Sequence, residues 1–211
     1  MGAVERYPHT QNKKFRDWSN EEYIQCIAVD PGLVNFAFRI ERRYHTGRII
    51  TIAFWKKEFK KDRYTKLIQE LDKYQEEYER THIVMIEKQP PRSVAINRIM
   101  QHTLTYFMLK MKDMPLLPEI IEIDPHVKGY ELEAPPDVNL KKWASGKARS
   151  LLEIRKDYVA LDVLDSWLDK AIPKGQRKDD DLSDTVVMIE AYCKKKGHPL
   201  TKKRPIMKIE N

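Results

Sequence analysis

Apolar positions in this chain change period several times, and each change marks an element. Ile24–Val29 is a short β-rich apolar run that ends on Asp30 and turns at Pro31-Gly32. Proline presets φ and glycine tolerates φ > 0, so a strand followed by a sharp turn is expected. Phe36, Phe38 and Ile40 then alternate with Asn35, Ala37 and Arg39, which predicts a second strand, Asn35–Glu41, folded back on the first. Arg42–Arg48, with Gly47, reads as a turn, and Ile49–Trp55 as a third strand with Ile50, Ile52 and Phe54 on one face. Short turns between the three imply an antiparallel meander.

Tyr64, Leu67, Ile68, Leu71 and Tyr78 recur at helical spacing. His82–Glu87 is a continuous apolar strand ending on an acid, as expected of a strand covered on both faces. Pro90-Pro91 stops it, and Ser93 can cap a long helix to Lys112 whose stripe includes Ile96, Met100, Phe107, Met108 and Met111. That Met-rich stripe reads as core. Glu119–Ile123 is a further strand, Lys128–Asn139 reads as irregular, and Lys141–Lys170 is a helical stretch with room for a break. Asp179–Tyr192 opens a last helix, stopped by Gly197 and Pro199. The order β-β-β-α-β-α-β-α-α predicts an α/β fold: one mixed five-stranded sheet, a meander of three plus two parallel strands, with helices on both faces.

The chain has 211 residues, enough for one domain with a full core. Residues 1–20 read as a solvated arm, 21–197 as the domain and 198–211 as a basic tail. The net charge of +7 favours a polyanionic partner, nucleic acid before others. Cys26 and Cys193, one in a strand run and one in a helix pattern, read as buried thiols, which points to a reducing, intracellular compartment. No run approaches the length of a membrane span.

The chemistry lies in the acids. Asp30 and Glu87 each end a strand, where sites of α/β sheets gather. Lys178-Asp179-Asp180-Asp181-Leu182-Ser183-Asp184 opens the last helix, and Asp181 and Asp184 share a face at i, i+3. The plain alternatives are a turn cap at Asp30 and an acidic first turn that suits the helix dipole. Acids four deep repel one another, however, and a divalent cation answers that repulsion. Hard cations take a few carboxylate oxygens and keep other positions for water and phosphate. Two such ions about 4 Å apart suit phosphodiester cleavage.

With Val29-Asp30-Pro31-Gly32, Asn35, Ile86-Glu87-Lys88-Gln89 and the acidic run in that order, the sequence resembles the RuvC-like Holliday junction resolvases of the RNase H-like fold, in the branch found in poxviruses and other large DNA viruses. The resemblance spans Ile24 to Cys193. It implies a homodimeric endonuclease that nicks four-way DNA junctions symmetrically with two Mg²⁺ ions per site, Mn²⁺ substituting. It also implies a host-cell setting, cytoplasm or nucleus, where DNA is replicated. Asp30, Glu87, Asp181 and Asp184 would be the catalytic metal ligands, with Asp180 the rival of Asp181. Lys156 is the candidate for the family's basic residue near the scissile phosphate, with Lys147 and Lys178 behind it. Arg92, Arg98, Lys141, Lys142, Lys147, Arg149, Arg155 and Lys156 are candidates for DNA phosphate contacts, against the plain reading of solvated surface cations. Two other readings stay open: an RNA–DNA hybrid nuclease of the same fold, and a catalytically silent nucleic-acid-binding module.

Overall fold

The structure, a computed structural model, describes residues 5–6, 16, 18–59, 61–168 and 180–198. Its strands are β1 (Glu5–Arg6), β2 (Tyr23–Pro31), β3 (Phe36–Tyr44), β4 (Ile49–Lys57), β5 (Ile83–Glu87) and β6 (Glu119–Ile123). They pair in the order β1-β6-β5-β2-β3-β4. The meander β2-β3-β4 is antiparallel, and β5 and β6 run parallel to β2. The five strands are those the hydrophobic periods predict. The sixth, β1, pairs antiparallel with β6 at the sheet edge. It lies within residues 1–20, as does Trp18, which packs against the core.

Helices α1 (Arg63–Asp72), α2 (Gln75–Tyr78) and α3 (Val94–Met111) cover one face of the sheet. Helices α4 (Val127–Glu131), α5 (Leu140–Arg155), α6 (Tyr158–Ser166) and α7 (Asp180–Lys196) cover the other. Strand alternation sorts the side chains between the two layers. Ile27, Val29, Phe36, Phe38 and Ile40 face the α1–α3 layer. Cys26, Ala28, Ala37 and Met85 face the α4–α7 layer. Among the described residues no helix is long and apolar enough to cross a membrane.

Several local expectations change. The helical pattern from Tyr64 to Tyr78 is two helices separated at Lys73-Tyr74. Ser93 stands at the N-cap position of α3, but its side chain makes no capping hydrogen bond. Lys128–Asn139, expected to be irregular, begins inside the short helix α4. The stretch from Lys141 breaks at Lys156, which adopts φ 59°, and Asp157 caps α6 by accepting from Ala160 N. Phe107 and Met111 of α3 are buried against the sheet, so they belong to the core.

The face under α5–α7 carries more than apolar side chains. Arg39, Glu41 and Arg43 of β3 point into it, although a half-solvated strand would expose them. Because helices cover this face, each charge is paired. Glu41 accepts from Arg39 at 2.8 Å, from Arg43 at 2.6 Å and from Arg155 at 3.0 Å. Arg155 and Arg43 also meet Glu190 of α7, at 2.7 and 2.8 Å. Burial alone would push the Glu41 carboxyl up, but Arg155, Arg43 and Arg39 hold it far below the usual carboxylate range. This network ties β3 to α5 and α7.

Candidate active site

The parallel strands β2 and β5 deliver their acids side by side. Val29 pairs with Ile86, so Asp30 and Glu87 leave the sheet together at its carboxyl edge. Alternation sets both on the α4–α7 face, beneath the first turns of α7. The turn after Asp30 is tight: Gly32 N donates to Asp30 O at 3.0 Å. A Cβ at Gly32 would fall 2.5 Å from Asn35 O, so only glycine fits there.

Asp30, Glu87 and Asp184 offer carboxylate oxygens that all lie within 4.8 Å of one another. Each of the three residues is less than 9 % exposed. Asp181 joins them as lining of a cleft of about 540 Å³. Between the two rival acids, Asp181 faces the cleft, whereas Asp180 Oδ2 lies 3.5 Å from Lys141 Nζ. Gln89 Nε2 approaches Asp30 Oδ1 at 3.5 Å and donates to Glu87 O at 3.3 Å, tying the two strand ends together.

The electrostatics are those of crowded like charges. Burial, followed by the neighbouring Glu87, Asp181 and Asp184, raises the Asp30 carboxyl well above its ordinary value. Asp184 is pushed up to about 6 by burial and by Glu87 and Asp180, against the opposing pull of Lys128. Lys128 is itself buried. Its Nζ lies 3.0 Å from Glu87 Oε1 and 2.6 Å from Asp184 Oδ1. Burial works against its charge, but those two carboxylates more than reverse the effect and hold it above the ordinary lysine value. The ammonium thus sits where a cation is wanted.

The donor set is made of hard oxygens, several carboxylates converge, and the Lys128 ammonium already partly neutralises Glu87 and Asp184. That arrangement suits Mg²⁺ or Mn²⁺. Asp30, Glu87 and Asp184 would hold such an ion, and Asp181 lines the same cleft.

The structure brings Asp30, Glu87, Asp181 and Asp184 to one cleft, as their order in the chain predicts. It does not bring Lys156. Helix α5 begins at the cleft with Leu140 and Lys141, and Lys156 stands just past its other end, about 24 Å along the helix axis from Leu140 and absent from the cleft lining. Among the described residues the basic group between Glu87 and Asp184 is Lys128, which periodicity does not reveal. One signal could have found it. β6 is parallel to β5, so the residues after Ile123-Asp124-Pro125 emerge at the same sheet edge as Asp30 and Glu87.

Of the candidate phosphate-binding cations, Lys141 lines the cleft. Arg92, Arg98 and Lys142 are exposed, and Lys147 is half-buried on α5. Arg149 pairs with Asp165 on α6. Arg155 is buried in the Glu41–Glu190 network and cannot meet DNA, because that network lies beneath the helices. Lys178 lies outside the described residues.

No protein-family model matches the sequence, and no curated protein matches it. Solved structures do share its fold. Fowlpox virus resolvase, in a complex with Holliday junction DNA, superposes with a TM-score of 0.54 at 19 % identity, over 80 % of this chain and 97 % of that one. Thermus thermophilus RuvC does so with a TM-score of 0.53 at 14 % identity, over 82 % and 97 % of the two chains. The yeast mitochondrial Holliday junction resolvase Ydc2 gives 0.54 at 14 % identity, over 81 % and 79 %. The chain therefore has the RNase H-like fold of the RuvC-like resolvases.

Proposed function

We propose that this protein is a divalent-metal-dependent endonuclease that cuts four-way DNA junctions by paired, symmetric nicks. One observation carries the reading. A resolvase-type fold presents, at the carboxyl edge of its parallel strands, four acids in one cleft whose buried members crowd together with more negative charge than the neighbouring lysines offset. Burying carboxylates in excess is costly, and a protein that only bound DNA phosphates would gain nothing from it.

Asp30, Glu87 and Asp184 would hold the metal, with Asp181 of the same cleft as a further ligand. Bound there, Mg²⁺ or Mn²⁺ would neutralise the scissile phosphate and make a water acidic enough to attack it. The protein's own groups do the remaining work. Gln89 keeps Asp30 and Glu87 in register. Lys128 remains protonated in the presence of its two acids, so it donates rather than accepts a proton. Relieved of Glu87 and Asp184, its ammonium is free to turn to a phosphate oxygen or to the leaving 3′-oxygen. Lys141 at the cleft, with Lys142, Arg92 and Arg98 on the adjoining elements, supplies backbone contacts that bind without reading sequence.

Two symmetric cuts call for two sites related by a twofold axis. The outer side of α3 offers a surface for this, with Val94 and Leu109 both 61 % exposed. The fowlpox virus resolvase in its complex with junction DNA supports a branched substrate for this fold.

The test is cleavage of a synthetic four-way junction in Mg²⁺ or Mn²⁺, beside linear duplex, a splayed arm and an RNA–DNA hybrid. Paired nicks at symmetric positions of the junction, lost on chelation, are expected. Cleavage confined to the hybrid would move the protein to a hybrid nuclease, and tight binding with no cutting of any substrate would make it a binding module.

A further inference from the structure

We propose that Lys56 is an internal counter-cation that holds Asp181 away from the other three acids until divalent metal displaces it. The inference rests on reading the cleft as a metal site and adds a positioning residue to it.

Lys56 lies near the end of β4 and pairs with Ala37 of β3, which in turn pairs with Asp30 of β2. The three residues form one row across the sheet, on the same face. Two strand spacings separate the outer members, about 10 Å. Ala37 is small, so the space above it stays open to groups reaching from α7. The Lys56 side chain has no solvent exposure. Its Nζ lies 3.6 Å from Asp181 Oδ2 and 4.3 Å from the centre of the Trp167 ring.

A buried ammonium needs compensation of several kcal/mol. Here an acid and an aromatic face provide it together. The consequence falls on Asp181. Asp30, Glu87 and Asp184 converge within 4.8 Å, and Asp181 is not in that group. Yet Asp181 and Asp184 are three apart on α7 and share a face, so a change of side-chain rotamer would bring Asp181 toward the others. What opposes that change is the cation on its far side. Among the described residues two buried lysines thus share the acids: Lys128 pairs with Glu87 and Asp184, and Lys56 pairs with Asp181. A divalent ion must win Asp181 from Lys56. The displaced ammonium still has the ring of Trp167, so the exchange leaves no bare buried charge.

Competition of this kind is read most directly by metal binding in the absence of DNA, with free Mn²⁺ followed by electron paramagnetic resonance. Lys56→Met should tighten Mn²⁺ binding about ten-fold, because it removes a unit charge near the ion and frees Asp181. In an Asp181→Asn background the same change should give about two-fold or less, since the amide carries no charge for Lys56 to hold. Trp167→Leu, at a half-buried position, keeps the lysine but removes its second partner. Mn²⁺ binding should then weaken about three-fold, in line with the loss of a cation–π contact. This variant tests the idea even if Lys56→Met does not fold. Wild-type protein that binds no Mn²⁺ would defeat the metal-site reading itself. Wild-type binding with Lys56→Met unchanged or weaker, with an equal gain in the Asp181→Asn background, or with Trp167→Leu unchanged or tighter, would overturn the role of Lys56 alone.

Discussion

Two groups of charged side chains are buried between the sheet and α7, and they are built on opposite plans. Toward the carboxyl-terminal half of α7, Glu190 joins Glu41 and Asp157, which meet Arg39, Arg43 and Arg155: three acids against three guanidiniums. At its amino-terminal end, Asp181 and Asp184 join Asp30 and Glu87, and among the described residues the buried ammonium groups that meet these four acids are Lys128 and Lys56, with Lys141 at the exposed mouth of the cleft. The groups are separated by about 9 Å of one helix, six residues from Asp184 to Glu190. The cations differ in kind as well as number. Arginine's rigid fork suits permanent pairing, whereas lysine's point charge on a flexible stem is easily displaced. The balanced group fastens elements together. The acid-rich group lacks positive charge and is placed at the sheet edge, where something from outside can supply it.

The same chemical change should therefore act oppositely on the two groups. The largest effect is on activity. Asp30→Asn or Glu87→Gln should reduce junction cleavage by at least about 10³-fold while leaving junction affinity nearly unchanged, as expected when transition-state charge stabilisation is lost but phosphate contacts remain. Cleavage and gel-shift assays on the same preparations would check both halves. Next comes stability. Glu41→Gln should cost about 3–5 kcal/mol in urea unfolding, because three buried arginines lose their shared acid. Asp30→Asn should instead stabilise the metal-free protein by about 1 kcal/mol, because it relieves repulsion in a strained site. If both changes destabilised equally, the contrast between the groups would be broken.

Acidity sharpens the contrast further. Asp184 has a folded-state pKa raised from 3.8 to about 6, so the folded protein keeps a proton that the unfolded chain releases. Its contribution to stability is present below about pH 3.8 and is lost as the pH rises to about 6. Glu41 is depressed, so its contribution is present above its unfolded value of 4.5 and is lost as the pH falls. In urea midpoints measured against pH without metal, Asp184→Asn should make the first slope shallower, Asp30 supplying the rest of it, and Glu41→Gln should make the second shallower. The smallest effect belongs to Lys156→Ala, at the far end of α5, which should leave the cleavage rate within about two-fold, the usual range for a surface change far from a site. A large loss there would mean that the DNA path extends much further than the cleft.

These contrasts also explain what could be read in the sequence. Asp30, Glu87 and Asp184 were legible because each sits where a periodic apolar run begins or ends, and parallel strands bring such ends together. The five long strands were legible for the same reason; β1, only two residues long, is too short to carry a period. The buried ion network of Arg39, Glu41 and Arg43 was not legible, because alternation tells which residues share a face, not what covers that face. Lys128 was hidden because it stands in a segment with no period, and its importance comes from a parallel pairing between β5 and β6. Lys156 came from the resemblance, as a basic residue on the segment before the last helix, and the structure places it past the end of α5 opposite to the one at the cleft.

On the proposed function, the acid-rich cluster is a metal site that Lys128 fills in the metal's absence. Crystals soaked in Mn²⁺ and measured at the manganese absorption edge test it directly. An anomalous peak among Asp30, Glu87 and Asp184, with the Lys128 ammonium moved off Glu87 and Asp184, is the result expected. No peak there at saturating Mn²⁺, with Lys128 still seated between the two carboxylates, would contradict it.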